Sequence, residues 1–497
     1  MEVDTPTEAQ VARPATRIVR VEPDSPFELD QVANSYEGRS KINRLLYIAN
    51  SAPALAGPAL TQALSTIKET TLDVSLYEQA FHLYRQTISA IQAGENTSPL
   101  AVAWYESVKG NEVGLDRVWM EAARKEGQST MDKLEVELKG YSTNLIKESI
   151  RMGHRDLARH QYKMGDLQGA IRSYTKSREF CTTSQHVLEM CMGVIEVALE
   201  MANYSFVRNY VVKAESALEA LNAPAAGAKA KQPVVALPGM VAPAADPVEV
   251  AKEKERQSTH ERLTVAQGVA SLGTGSFERA ARAFTGIGKE ALESKDGHFI
   301  PPADIALYAA LTGLATFNRN ELKTRLLENA DLRPMLDQEP YLRDIIRAFQ
   351  SNNFKEGLRG LEQHSNRQEL DPHLAPHLHA LYHMIRSRAL LSYFTPFATV
   401  SITRMAEAFG WAEDYLLVQV TDLIGRGEMK ARVDSQARVL VAKKKDVRQE
   451  AFKHALEEGE RIQRRALASQ LRLKLIQADI LVKPPKSSGG QQQQEAF

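Results

Sequence analysis

The sequence predicts a mostly α-helical protein: a tetratricopeptide-like array of helix pairs ending in a winged helix, then one long C-terminal helix. Three observations point there. Apolar residues recur three and four apart along most of the chain from Phe27 onward, the spacing of one helical face. Turns of similar chemistry return at near-regular intervals between residues 165 and 275. Residues 380–442 read as helix, turn, helix and hairpin.

Taken in order, residues 1–26 are polar, hold four prolines and lack the apolar core of a signal peptide, so a disordered tail is expected. Residues 27–222 form the N-terminal helical repeats. Leu45, Leu46, Ile48 and Ala49, then Leu60, Ala63, Leu64 and Ile67, set the first helical faces, with a break at Gly94–Pro99. The turn Gly165-Asp166-Leu167 precedes Ala170 and Tyr174; Ala202-Asn203-Tyr204 precedes Val207 and Val211; Gly275-Ser276-Phe277 precedes Ala280 and Phe284. Asn320-Glu321-Leu322 and Asn352-Asn353-Phe354 look like weaker members. The first two turns lie 37 residues apart and the third 73 further on, close to two periods.

Residues 223–257 hold an alanine- and proline-rich linker and a charged run. Five prolines between 223 and 247 argue against helix there, and Lys252–Arg256 reopens it. Residues 258–379 continue the repeats. In the winged helix of 380–442, Ile402, Met405, Ala406 and Phe409 share one face of a helix that Gly410 ends, a residue suited to the left-handed position. Leu416, Val420, Leu423 and Ile424 form the buried face of the next helix. Two β-like runs follow, Met429–Val433 and Arg438–Val441, around a turn at Asp434, Ser435 and Gln436. Residues 446–482 read as one helix, with Phe452, Leu456, Gly459, Ile462, Ala466, Ser469, Leu473, Ile476 and Ile480 along a narrow apolar seam that suits a helical bundle. Arg461, Arg464, Arg465, Arg472 and Lys474 lie on its other faces. Residues 483–497, with four glutamines, are expected to be disordered.

A winged helix suggests nucleic acid first, and the charges argue against it. The second helix carries Glu413, Asp414 and Asp422 and neither Lys nor Arg. Base edges and phosphates call for the opposite sign. The formal net charge of the chain is zero, so no basic field compensates. Protein docking fits better. The candidate contacts are Ala431, Arg432, Val433, Arg438, Val439, Leu440 and Val441 on the wing, whose edge a neighbour could complete. On the C-terminal helix they are Ile462, Ala466, Leu473, Ile476 and Ile480.

No motif supports an enzyme. His373, His377, His379 and His383 cluster, and His377, His379 and Ser387 fit part of a metalloprotease pattern, but Leu390 stands where the metal-ligating aspartate belongs. Gly273-Thr-Gly275 lacks both the third glycine and the lysine of a phosphate loop. The two cysteines, Cys181 and Cys191, read as free thiols. No apolar run approaches a membrane span. No catalytic residue, metal or cofactor is expected.

Several ordered blocks resemble the COP9 signalosome subunit 1 family of PCI-domain proteins. They are Tyr36-Glu-Gly38, Arg44–Ala49, Ser149–Leu157 continuing to Cys181–Val187, Lys213–Ser216, Ile385–Leu390 with Tyr393–Pro396, Met405–Phe409, Ala431–Ser435 and Gln463–Ala466. The resemblance implies a non-catalytic scaffold. In that family the winged helices associate side by side into an open ring, and the C-terminal helices gather in a separate bundle. The complex removes NEDD8 from cullin-RING ubiquitin ligases, with its metalloprotease centre in another subunit. Implied partners are the other signalosome subunits and, through the complex, cullin-RING ligases, without nucleic acid or membrane; the implied location is cytoplasm and nucleus. The 223–247 insertion departs from the family pattern. The alternatives are the equivalent subunit of the proteasome regulatory lid, which shares the architecture, and a winged-helix nucleic-acid binder.

Overall fold

The computed structural model describes residue 19 and residues 27–94, 96–110, 113–222, 247–288, 300–443 and 447–478. They fall into two compact units, one of residues up to 396 with 404–416, the other of 397–403 with everything from 417.

The first unit is helical. In order come α1 (Leu29–Asn34), α2 (Gly38–Ser51), α3 (Ala56–Thr70), α4 (Val74–Gln92), α5 (Pro99–Val108), α6 (Arg117–Thr143), α7 (Lys147–Met164), α8 (Leu167–Ser177), α9 (Ser184–Glu200), α10 (Tyr204–Asn222), α11 (Pro247–Gly273), α12 (Phe277–Thr285) and α13 (Pro302–Thr316). From α6 to α13 each helix packs on the next, which is the arrangement of a helical repeat array. Ala170, Tyr174, Val194, Ile195, Val207, Val211, Leu263 and Ala266 belong to one continuous core. The proposed linker through residue 246 lies outside the described residues; Pro247 opens α11, a position where its missing N–H costs nothing.

One piece of turn chemistry repeats. Gly165, Ala202, Gly275 and Asn352 all have positive φ, at 91°, 53°, 74° and 62°. The N–H of each bonds to the carbonyl three residues back (Tyr162, Leu199, Leu272, Phe349). The N–H of the next residue bonds five back, to Gln161, Ala198, Ser271 and Ala348, at 2.8–3.0 Å. This double closure satisfies the last carbonyls of one helix while reversing the chain into the next. Gly165 is the tightest case, because a Cβ there would lie 2.1 Å from Asp73 Oδ2. The weaker turn expected at Asn320 is different. The break falls at Phe317–Asn318, and Asn318 with Glu321 forms a capping box that starts a helix at Arg319, running on as a π-helical turn at Leu322–Leu327.

The chain continues through α14 (Arg333–Leu336), α15 (Pro340–Gln350), α16 (Phe354–Gln363), α17 (Ser365–Glu369) and α18 (Leu378–Phe394). A run of rings joins this region to the start of the winged helix. Phe354 stacks on Phe409 with centroids 5.2 Å apart, Tyr393 meets Phe409 edge-on, and Trp411 links Phe409 to Tyr415.

Helix α2 ties distant parts of this unit together. Arg39 Nη2 donates to Asp73 Oδ2 at 2.7 Å, and Asp73 also caps α4. Ser40 and Asn43 donate to the Glu200 carboxylate at the end of α9. Arg44 donates to Asp371 with both terminal nitrogens at 3.2 Å. The apolar side of the same segment, Leu45 and Ile48, shares a core with Leu29, Ala59, Ala63 and Leu370.

The remaining elements are β1 (Thr399–Ser401), α19 (Ile402–Phe409), α20 (Glu413–Gly425), β2 (Ala431–Asp434), β3 (Val439–Ala442) and α21 (Val447–Gln477). This is the element order of a winged helix followed by a long helix. The second unit contains the sheet, in the order β1-β3-β2 with both pairs antiparallel.

Candidate assembly interface

The wing is built around its turn. Asp434 Oδ1 accepts from the N–H groups of Gln436 and Ala437 at 3.0 and 3.1 Å, and Arg438 takes positive φ, so the turn runs from Ser435 to Arg438. Arg438 is therefore outside the strand that the sequence assigned to it. Its carbonyl accepts from Ile402 N–H at 3.0 Å.

The strand order corrects one expectation. Val439, Leu440 and Val441 do not offer a free edge, because β3 is the central strand: Thr399 pairs with Val441 and Ser401 with Val439 on one side, and β2 occupies the other. Three residues, Thr-Val-Ser, make the difference, too short a run for periodicity to register. The hairpin's outer edge is β2, with Ala431 buried, Arg432 exposed and Val433 half-buried. A proline at Val439 would break the sheet itself, since it would remove a ladder bond from the central strand.

The long helix presents a different surface. From Arg448 to Gln477 every side chain of α21 is exposed except half-buried Glu458. Ile462, Ala466, Leu473 and Ile476 are among the exposed residues, and Ile480 lies outside the described ones. Leu467, Leu471 and Leu475 are also exposed, on a face the apolar seam does not include. Their four-residue spacing was the available signal. Phe397 and Val418 are two further exposed apolar residues that sequence reasoning passed over.

The histidine cluster is dispersed. His373 Nδ1 lies 3.2 Å from the Tyr204 hydroxyl, and burial lowers its pKa. His377 meets the Phe277 ring edge-on, and burial lowers its pKa too. His379 is exposed, and Leu390 is buried in α18. Among the described residues no three of His, Cys, Asp or Glu converge as a metal site would require. Cys191 is buried, which pushes its thiol up to about 11, and Cys181 is half-buried and also raised. Neither has the depressed pKa of a reactive thiol. Among the described residues no helix is long and apolar enough to cross a membrane.

The strongest concentration of charge is internal. Asp304 and Asp371 are fully buried and face two arginines. Arg44 Nη2 lies 3.0 Å from Asp304 Oδ2 and 3.2 Å from Asp371 Oδ2, while Arg367 donates to Asp304 Oδ1. Tyr308 donates to Asp371 Oδ2 at 2.7 Å, and the N–H groups of His373 and Leu374 donate to Oδ1. Burial pushes the Asp304 carboxyl up to about 7 against the pull of Arg367. Burial also opposes ionisation of Asp371, but Arg44, His373 and the Tyr308 hydroxyl outweigh it and hold that carboxyl below its ordinary value. The partners are mutual, so the cluster clasps α2 to α13 and to the segment before α18.

Among the described residues the exposed features of this region are the apolar side chains of α21 and the edge of β2. The family described as 26S proteasome subunit RPN7 matches residues 116–325, and the PCI domain matches residues 361–444. COP9 signalosome complex subunit 1 of Arabidopsis thaliana is 33% identical over 454 residues, covering 91% of this chain and 90% of the relative. COP9 signalosome complex subunit 1b of Drosophila melanogaster is 31% identical over 496 residues, covering 93% and 88%. The 26S proteasome non-ATPase regulatory subunit 6 homolog of Arabidopsis thaliana is 18% identical over 358 residues, covering 72% and 83%. With such identity along nearly its whole length, the chain belongs to the COP9 signalosome subunit 1 family.

Proposed function

We propose that this chain is a non-catalytic scaffold of a COP9 signalosome, the assembly that removes NEDD8 from cullin-RING ubiquitin ligases. The observation that carries this reading is α21, a helix of 31 residues whose apolar side chains are exposed along its length. Isolated helices draw little stability from propensity, so such a surface calls for partner helices. The β2 edge is a second contact, where a neighbouring subunit's strand can complete unpaired N–H and C=O groups. The chain supplies no hydrolytic centre; it positions the subunits that do. Cytoplasm and nucleus are its proposed location, where a regulator of cullin ligases would meet them, and imaging of a tagged chain tests that.

Tagged full-length chain recovered from cells should bring down the other signalosome subunits and no proteasome lid subunit. Ile462→Asp with Leu473→Asp should lose the helical-bundle contacts at least tenfold while circular dichroism stays unchanged. The match to the proteasome family over residues 116–325 favours the lid as the second reading. Recovery of lid subunits in place of signalosome subunits would establish it and overturn the first.

A further inference from the structure

Helix α6 loses its cover before it ends. Its first half buries Met120, Ala123 and Gly127, but no side chain from Gln128 to Thr143 is buried. Leu138 and Tyr141 face α7, so closely that a Cβ at Gly153 would lie 3.0 Å from Leu138 Cδ1. At roughly 3.6 residues per turn, Val136 and Gly140 lie on the opposite side of α6. Val136 is 67% exposed, and a Cβ at Gly140 would meet nothing within 4 Å. The turn into α7 is exposed throughout, from Ser142 to Glu148. Leu145 stands at its centre, 80% exposed, with Ile146 beside it at 49%.

Three features of this tip cost stability. Large aliphatic side chains stand in water. Leu145 takes φ 54°, a left-handed conformation that Cβ sterics penalise in any residue but glycine. Its N–H bonds to Ser142 at 3.3 Å, but Ile146 makes no second bond five residues back, unlike the residues after Gly165, Ala202, Gly275 and Asn352. Gly140 weakens an exposed helix interior where alanine would fit without crowding. The base of the hairpin is held firmly all the same: buried Arg151 reaches Glu148 at 2.6 Å and Glu189 of α9 at 3.1 Å. Exposed aliphatic side chains on a firm base lose little freedom on docking.

We propose that the α6–α7 tip is a further docking surface: Leu145 and Ile146 enter an apolar cleft on another chain of the assembly, and that chain passes close to Gly140. This rests on the scaffold reading for a reason of area. Three apolar side chains and one short turn fall below the roughly 800 Å² per partner that a stable interface buries by itself. The tip therefore suits a chain that other surfaces already hold nearby, where a small contact acts at high effective concentration. Charge disfavours an anionic membrane, since four acids and three lysines lie between Asp132 and Glu148. Shape disfavours a second copy, because a two-fold contact needs a self-complementary patch and a projecting tip is not one.

The test is site-specific photocrosslinking in the full chain within its native complex, with benzoylphenylalanine replacing Ile146. The expected result is an adduct to one other chain of that complex, at a segment of apolar residues. Two variants then separate docking from folding. Leu145→Gly removes the side chain and suits the left-handed position; Gly140→Met fills the open space and favours helix. Each should lower the adduct by about tenfold while the Tm of the free full-length chain holds or rises. A clear fall in Tm from either variant would assign that residue to the fold and overturn the inference. So would the absence of an adduct, or an adduct that either variant leaves unchanged. An adduct to a second copy of this chain would overturn it in favour of self-association. Binding to phosphatidylserine vesicles that Leu145→Gly abolishes would do so in favour of a lipid surface. In each of these cases the other subunits are still recovered with the chain, and the scaffold reading stands. Failure to recover any subunit with the unmodified chain would overturn the scaffold reading first and this inference with it.

Discussion

Helices α9 and α21 follow the same rule of spacing and meet opposite fates. In α9, Leu188, Cys191, Val194, Ile195 and Ala198 recur three and four apart, and all are buried between neighbouring helices. In α21, Phe452, Leu456, Ile462, Leu473 and Ile476 recur with similar spacing, and all are more than half exposed. Periodicity therefore reports that a face must be covered and says nothing of which chain covers it. The array supplies cover from its own next repeat; among the described residues the apolar side chains of α21 stay exposed.

The contrast breaks most visibly with a charge. Ile195→Asp places a carboxylate at a fully buried position, and the expected cost is on the order of 4 kcal/mol or more. Chemical denaturation and soluble yield should show an unfolded or severely destabilised chain. Leu473→Asp, the same chemical change on α21, should shift stability by less than about 0.5 kcal/mol.

Arg44→Ala sharpens the comparison from the polar side. It would leave Asp371 and Asp304 buried with one cation fewer, at an expected cost of about 3–5 kcal/mol, read from urea unfolding. A loss below about 1 kcal/mol would mean that the clasp of α2 does not hold the array together. Gly165→Ala is a smaller change. It forces a Cβ into a left-handed position at a cost of about 1–2 kcal/mol, and it also crowds Asp73 away from Arg39.

The smallest effect is one of pH. The Asp304 carboxyl is raised in the folded state to about 7, above the ordinary value of about 3.9. Its contribution to stability is therefore complete below the ordinary value and is lost as pH rises toward 7. Asp371 has the opposite sign, stabilising above the ordinary value and losing that contribution in stronger acid. Asp304→Asn should be less stable than the wild type at pH 4.5, and the gap in Tm should narrow by pH 7.5. A gap that stays unchanged over the same range would show that Asp304 is ionised throughout.

Much of the array could be read from sequence because its turns are local chemistry. Gly165, Gly275 and the Asn352-Asn353 pair announce left-handed closures, and the residues after them announce the next helix. The Asn318 capping box was harder, because Asn320, two residues later, carries a turn signal that the structure does not use. Strand β1 was missed for a physical reason: three residues gain their structure from pairing with β3, which lies forty residues away in sequence. The helix-period faces of α21 were legible, while its second apolar line was masked by the interleaved arginines. The Arg44–Asp304–Asp371 cluster carried no sequence signal, since its members come together only when α2 meets residues some three hundred positions later.

That separation also sets an order of events during synthesis. The ribosome makes Arg44 long before Asp371, which follows 327 residues later. At roughly 5–20 residues per second the interval is on the order of 15–65 s. During that time α2 holds an arginine without its Asp371 partner and an apolar side without Leu370, so the emerging N-terminal helices are exposed to chaperones and to premature contacts. The clasp closes just as the winged helix begins to emerge. The protein thus completes this buried cluster shortly before its winged helix and long C-terminal helix are synthesised.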